Sequence, residues 1–304
     1  MGKVLKIVQP KTWKEYFSDF LLEKQIAGCR KRTLRDYRYH ITRFFDGLEL
    51  EDWEGIQERL KEYFPPDLAP ATFNIRRAYL KAFFSYLVKQ GAIPQNPITF
   101  KKRKDEGKAR AIPQEVLKKL LELPNKATYT GLRDYVLILF TLDTGIRPKE
   151  ALSLLPEHFN LEAREVTVPG GIAKTKATRT LPLSPLTVQW LKKLLKVRPP
   201  EWGDAPVFCS QDGKAILETS WSHRLASYSK RLGHKITPYD LRHSFALHSL
   251  RNGISPFALQ RILGHTDLTM TKRYLALTQE DLQKEHEKTS PVNFFTTKRM
   301  RKLR

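Results

Sequence analysis

Two arginines, a histidine and a tyrosine carry the chemistry this sequence can be read for. The stretch Leu263-Gly264-His265-Thr266-Asp267-Leu268-Thr269-Met270-Thr271-Lys272-Arg273-Tyr274 sets His265 and Tyr274 nine positions apart. Arg147 sits upstream in Asp143-Thr144-Gly145-Ile146-Arg147-Pro148-Lys149-Glu150, and Arg242 in Tyr239-Asp240-Leu241-Arg242-His243-Ser244-Phe245-Ala246. A planar guanidinium can hold two phosphate oxygens at once. Two guanidiniums, an imidazole and a phenol are therefore the parts needed to attack a phosphodiester without a metal. Most nuclease-like chemistry relies instead on carboxylate-bound metal ions, and no carboxylate cluster of that kind is visible in the sequence. A lysine on a turn, as in Ala173-Lys174-Thr175-Lys176-Ala177-Thr178-Arg179, can give a proton to a leaving oxygen. A Lys-Thr-Lys turn is more often simply exposed, so Lys174 gains meaning only from its company.

The elements that must position these groups are marked by their caps. Gly145 ends an apolar helix expected over Leu132–Phe140, and Pro148 suits the first turn of the next helix, so Arg147 projects from a helix start. Ser255-Pro256 opens a helix that Gly264 stops, and a further helix is expected over Thr269–Leu277. Arg242 belongs to a helix over Leu241–Asn252 anchored by Leu241, Phe245 and Leu247. His243 and His248 read as ordinary hydrogen-bonded helix residues. Arg164–Val168 and Thr178–Leu183 have strand character, joined through a Gly170-Gly171 turn region. Trp221–Leu232 is expected to be helical. A domain begins near Ile112, with Pro113 in the first turn of a helix carrying Val116, Leu117, Leu120 and Leu121.

Residues from about 10 to 100 read as helical. Trp13, Tyr16, Phe17, Phe20 and Leu21 form an apolar stripe. Thr33 is expected to cap a helix carrying Tyr37, Ile41, Phe44 and Phe45, with Gly47 near its end. Pro65-Pro66 breaks the pattern. Thr72 is expected to start a helix with Ile75, Tyr79, Leu80, Phe83, Phe84 and Leu87, which stops at Gly91. The aromatic stripes read as core. Arg76, Arg77 and Lys81 fall together on the polar face, where they either meet phosphates or are solvated. Asn96-Pro97 closes this unit. The basic run 101–111, with Lys101 and Arg103, has no apolar period and reads as a linker able to lie along a DNA backbone.

The 304 residues carry 54 Lys+Arg against 32 Asp+Glu, a formal net charge of +22. Such a surplus points to a polyanion as partner, with nucleic acid first. Hydrophobic residues make up 40 % of the chain, enough for sizeable cores. Cys29 and Cys209 form neither a disulfide framework nor a zinc motif. The sequence shows neither a signal peptide nor a membrane-spanning run, so a cytoplasmic, nucleoid-associated protein is expected.

It is the joint order that is specific. An arginine, a hairpin lysine, a Tyr-x-x-Arg helix, a Leu-Gly-His turn and a tyrosine follow one another over about 130 residues. With these motifs the chain resembles the tyrosine recombinase (phage integrase) family, in its simple, Xer-like, two-domain form, across nearly its whole length. The resemblance implies a mainly α fold with a small antiparallel β-sheet. It divides the chain into a helical, SAM-like core-binding domain over 1–100, a basic linker over 101–111, an α+β catalytic domain over 112–285 and a basic tail over 286–304. It makes Tyr274 the nucleophile that forms a 3′-phosphotyrosyl link. Arg147, Arg242 and His265 then stabilise the phosphate, and Lys174 protonates the departing 5′-oxygen, with Lys176 as the alternative. Where the family usually carries histidine, three residues before the second arginine, this chain has Tyr239. Its ordinary pKa of about 10 suits a hydrogen-bond donor and not a base. Glu150 and Asp240 are read as supporting these groups, and Lys176 and Arg179 join Arg76, Arg77, Lys81, Lys101 and Arg103 as DNA-contact candidates.

By the same resemblance no cofactor is needed, because cleavage and rejoining conserve the bond energy. The expected partners are double-stranded DNA with inverted-repeat core sites, a homo-tetramer that holds two duplexes, and directionality or accessory DNA-bending proteins. The tyrosine at position 239 favours a mobile-element integrase or transposase over a chromosomal Xer role. A type IB topoisomerase shares the tyrosine chemistry, and an accessory DNA-binding protein with a decayed site is the non-enzymatic alternative.

Overall fold

The computed structural model describes residues 11–104, 112–264, 283, 286–287 and 289–292. The chain divides into two compact units, Met1–Glu106 and Gly107–Arg304. Among its described residues the first holds four helices, α1 (Trp13–Ile26), α2 (Lys31–Phe44), α3 (Trp53–Tyr63) and α4 (Pro70–Lys89). Thr12 caps α1 in a reciprocal box with Glu15. The start of α2 differs from the expectation at Thr33. The helix begins at Lys31, and Thr33 lies within its first turn, because Leu34, only 6 % exposed, packs into the core. Likewise α4 begins at Pro70 and not at Thr72, since proline at the first position already carries helical φ. α3 was not anticipated; Asp52 caps it by accepting from the Gly55 N–H.

The stripes converge as core. Phe20, Ile41, Phe44, Phe45, Leu80, Phe83, Phe84 and Leu87 are fully buried, each contributing about 1.5–3 kcal/mol relative to exposure. Ile75 departs from the expected pattern and faces solvent. Asn96 locks the end of the unit, its amide donating to the Lys81 carbonyl and the Ser85 hydroxyl while its Oδ1 accepts from the Ile98 N–H.

The second unit is helical around a small sheet. Its elements are α5 (Gln114–Glu122), α6 (Tyr129–Thr144), α7 (Pro148–Ala151), β1 (Phe159–Asn160), β2 (Glu165–Val168), β3 (Arg179–Pro182), α8 (Pro185–Lys196), α9 (Glu218–Leu232), α10 (Pro238–Arg251) and α11 (Pro256–Leu263). The strands lie antiparallel in the order β1-β2-β3, with Val166 opposite Leu181 and Val168 opposite Arg179. The mainly α character and the small antiparallel sheet agree with the expectation. β1 and α8 were not foreseen. α6 is buried over most of its circumference by Val136, Leu137, Ile138 and Phe140 and packs on α8 and α10. Its Asp134 is fully buried and satisfied: it accepts from Arg133 at 2.6 Å, from Arg224 at 2.6 Å and from the Tyr228 hydroxyl at 2.8 Å. No described helix is long and apolar enough to cross a membrane.

Candidate active site

Gly145 makes the turn that delivers Arg147. It caps α6 at φ +60°, the left-handed region that favours glycine. A Cβ here would fall 2.2 Å from the Phe245 ring and 2.9 Å from a Leu263 methyl, so the turn is pressed against both α10 and α11. Arg147 follows at the N-cap of α7, with Pro148 in the first turn. Arg242 lies one turn into α10, whose start is fixed by Thr237 and Asp240. Asp240 accepts from both the Thr237 N–H and the Thr237 hydroxyl. Its carboxylate therefore supports the site by capping α10 and not by pairing with a guanidinium. Ser244 ties the same helix to the start of the unit, accepting from the Ile112 N–H at 2.9 Å.

The arginines meet at the C-terminal end of α11. Arg242 donates to the Gly145 carbonyl at 2.6 Å and to the Leu263 carbonyl at 2.9 Å. Arg147 donates to the Gly264 carbonyl at 3.1 Å and to Glu150 at 3.2 Å. Arg179 donates to the Ile262 carbonyl at 3.2 Å and to Glu150 at 2.5 Å. Three successive carbonyls thus accept from three different arginines. A helix end explains this: its last carbonyls lack intrahelical partners and carry the negative end of the macrodipole.

Glu150 is the hub. It is 2 % exposed and accepts from Arg147, from Arg179 and from the Lys174 backbone N–H at 3.2 Å. Burial alone pushes its carboxyl upward. The Arg179 bond and charge, the Lys174 N–H and the Arg147 charge outweigh that and hold it below its ordinary value. Tyr239 is 44 % exposed. Burial of its ring and the Glu218 charge raise the phenol pKa against the lowering influence of Arg242 and Arg147.

The structure therefore brings together Arg147, Glu150, Arg242 and the backbone of Lys174, with Tyr239 within electrostatic reach. The Lys174 and Lys176 residues are exposed on the hairpin, and Lys176 adopts φ +59°. His265, Tyr274 and the helix expected over Thr269–Leu277 lie outside the described residues, as do most of the linker and tail.

The DNA-contact candidates separate. Arg179, read from the sequence as a DNA-contact candidate, has a side chain only 10 % exposed that pairs with Glu150 and donates to the Ile262 carbonyl. The sequence held a signal for this, because strand residues two apart share a face and Leu181, two residues on, is apolar. In the first unit, Arg76 donates to the Tyr63 carbonyl, Arg77 to the Phe100 carbonyl, and Arg103 to the carbonyls of Pro66 and Leu68. These three brace the helical unit from inside its loops. Lys81 and Lys101 are exposed. His248 has its Nε2 buried with no hydrogen-bond partner among the described residues.

Comparison with known proteins gives this geometry its family. The model of the phage integrase family matches residues 110–281. The tyrosine recombinase XerC of Myxococcus xanthus is 27 % identical over 282 residues, covering 87 % of this chain and 93 % of that one. The tyrosine recombinase XerA of Pyrococcus furiosus is 29 % identical over 288 residues, covering 91 % and 94 %. Among solved structures, the Tn1549 transposon integrase in complex with a circular intermediate DNA superposes with a TM-score of 0.71 at 21 % identity, covering 91 % of this chain and 99 % of that one, a likeness of fold. The chain therefore belongs to the phage integrase family, the tyrosine-type site-specific DNA recombinases.

Proposed function

We propose that this recombinase breaks and rejoins DNA through Tyr274. The Tyr274 oxygen attacks the scissile phosphorus, the bond from phosphorus to the 5′-oxygen breaks, and a 3′-phosphotyrosyl link forms. Lys174 gives its proton to the departing 5′-oxygen. A 5′-hydroxyl from a second strand then attacks the link and releases the tyrosine. Arg147 and Arg242 hold the non-bridging oxygens as negative charge builds on them, His265 adds a hydrogen bond, and Tyr239 donates another from its protonated phenol. Ionising a tyrosine of pKa about 10 at pH 7.5 costs about 3.4 kcal/mol. Adjacent guanidiniums offset much of that by favouring the phenolate.

The observation that carries this reading is the meeting of Arg147 and Arg242, 95 positions apart in sequence, on the last carbonyls of α11, one residue before His265. Two guanidiniums from separate elements fixed at one point are what a doubly coordinated phosphate requires. The chain acts on duplex DNA with inverted-repeat core sites, as a tetramer on two duplexes, with the tail 286–304 reaching a neighbouring protomer. Its biological setting is a mobile element. Tyrosine in place of histidine at 239 supports that setting.

Incubating the full chain with sheared DNA from its source and sequencing the protein-linked fragments tests the proposal. A covalent adduct at one recurrent site, lost in Tyr274→Phe, is expected. Site-specific binding with no adduct would instead assign an accessory protein. Adducts scattered over any supercoiled DNA, with relaxation, would assign a topoisomerase.

A further inference from the structure

Arg179 has a place in the site that its exposed sequence context concealed. It stands on the inward face of β3, opposite buried Val168 and two residues from buried Leu181. Its guanidinium spans two of the elements that build the phosphate site: Nη2 pairs with Glu150 of α7, and Nε donates to the Ile262 carbonyl of α11. The third nitrogen, Nη1, is buried with no hydrogen-bond partner among the described residues. An unpaired buried guanidinium N–H is unfavourable, so an arginine is not the group that packing alone would select here.

Charge counting shows what it does. Arg147 and Glu150 alone form a neutral pair, which stabilises poorly the extra negative charge that builds on a phosphate already bound. With Arg179 the buried trio of two guanidiniums and one carboxylate carries a net +1, and Glu150 divides its two oxygens between them, Oε1 to Arg147 and Oε2 to Arg179. Arg147 is held in orientation without having its charge cancelled. The same guanidinium fixes the end of α11, three residues before His265.

We propose that Arg179 is a positioning residue of the recombination site, which takes up Glu150 and Ile262 so that Arg147 faces the scissile phosphate with its charge intact. This rests on the phosphate-binding role given to Arg147 above. Arg179 makes no DNA contact of its own.

The test uses the full chain, a nicked duplex built on the adduct site mapped above, and an unrelated duplex as a binding probe. An absence of adduct with the unsubstituted chain would fail the recombinase reading itself, before any variant is compared. Arg179→Gln is expected to lower the single-turnover cleavage rate at saturating DNA by about 10- to 100-fold, by analogy with the loss of a group that orients a metal ligand. The half-saturating DNA concentration and the salt slope of duplex binding stay unchanged. Arg179→Lys, which keeps the charge, recovers part of the rate and serves alone should the glutamine variant not fold. Glu150→Gln combined with Arg179→Gln is no slower than the slower single variant, since both act through Arg147. An unaltered cleavage rate in Arg179→Gln would overturn the proposal. So would a salt slope reduced by about one, the mark of a lost phosphate contact, or a lysine variant as slow as the glutamine one.

Discussion

At the scale of residues, the site is built from guanidiniums that are already oriented. Arg242 is 4 % exposed and donates to two main-chain carbonyls; Arg147 shares Glu150 with Arg179. Donors fixed in advance need little reorganisation as charge develops, which is where such groups are most effective. Tyr239 is the position where this chain departs from its family's usual histidine. Its phenol pKa lies above the ordinary value because burial and Glu218 outweigh Arg242 and Arg147. It therefore stays protonated at neutral pH, which in the proposed mechanism fits it to donate to a phosphate oxygen and not to take the Tyr274 proton. Tyr239→Phe is expected to slow cleavage while leaving the shape of the pH–rate profile unchanged between about pH 6 and 9. Loss of an inflection in that range would make Tyr239 the base.

At the scale of elements, the site depends on how α6, α10 and α11 close on one another. Gly145 is the contact point, left-handed and touching Phe245 and Leu263 at once. Gly145→Ala adds strain at positive φ and forces a methyl into an occupied space. A loss of about 1–3 kcal/mol in urea unfolding of the second unit is expected, together with slower cleavage because Arg147 is two residues away. A stability unchanged within error would mean that α11 does not pack this tightly in solution. The small cluster of Ala246, Leu259 and Leu263 is the apolar part of the same contact. It explains why α10 buries Ala246 fully and Leu247 only partly, against the sequence expectation. A short residue lets α11 approach closely enough for its carbonyls to reach the arginines.

At the scale of the whole molecule, charge is the dominant feature. A net +22 on 304 residues supplies many cations that can displace counterions from DNA. If a protomer neutralises about 6–10 phosphates, duplex affinity falls by roughly 10³–10⁵ between 50 and 200 mM salt. Titration by fluorescence anisotropy over that range measures it; a fall below tenfold would mean that contacts other than ion pairs hold the DNA. Not every arginine contributes to this charge for DNA. Arg76, Arg77, Arg103, Arg133 and Arg179 all donate to groups of their own unit.

The sequence by itself determined the reaction class and several helix ends near the site, while the starts of α2, α4 and α10 fall elsewhere than the local signals placed them. Gly145, Pro148, Ser255-Pro256 and Gly264 mark helix ends by local backbone preference, which needs no tertiary contact to be read. The order of arginine, lysine, arginine, histidine and tyrosine is likewise a property of the chain. The helical period marked the aromatic core of the first unit for the same reason. What only the tertiary structure decided is which arginines are taken up by groups of the protein itself. Arg179 and Arg76 are as basic as Lys81 in one dimension. A guanidinium becomes a structural donor only when a carbonyl or a carboxylate from a distant segment lies within about 3 Å of it, and that distance is set by packing. Glu150 shows the same limit: its spacing from Arg147 was visible in the sequence, but its sharing between two arginines and the Lys174 backbone exists only once α7, the hairpin and α11 have closed together.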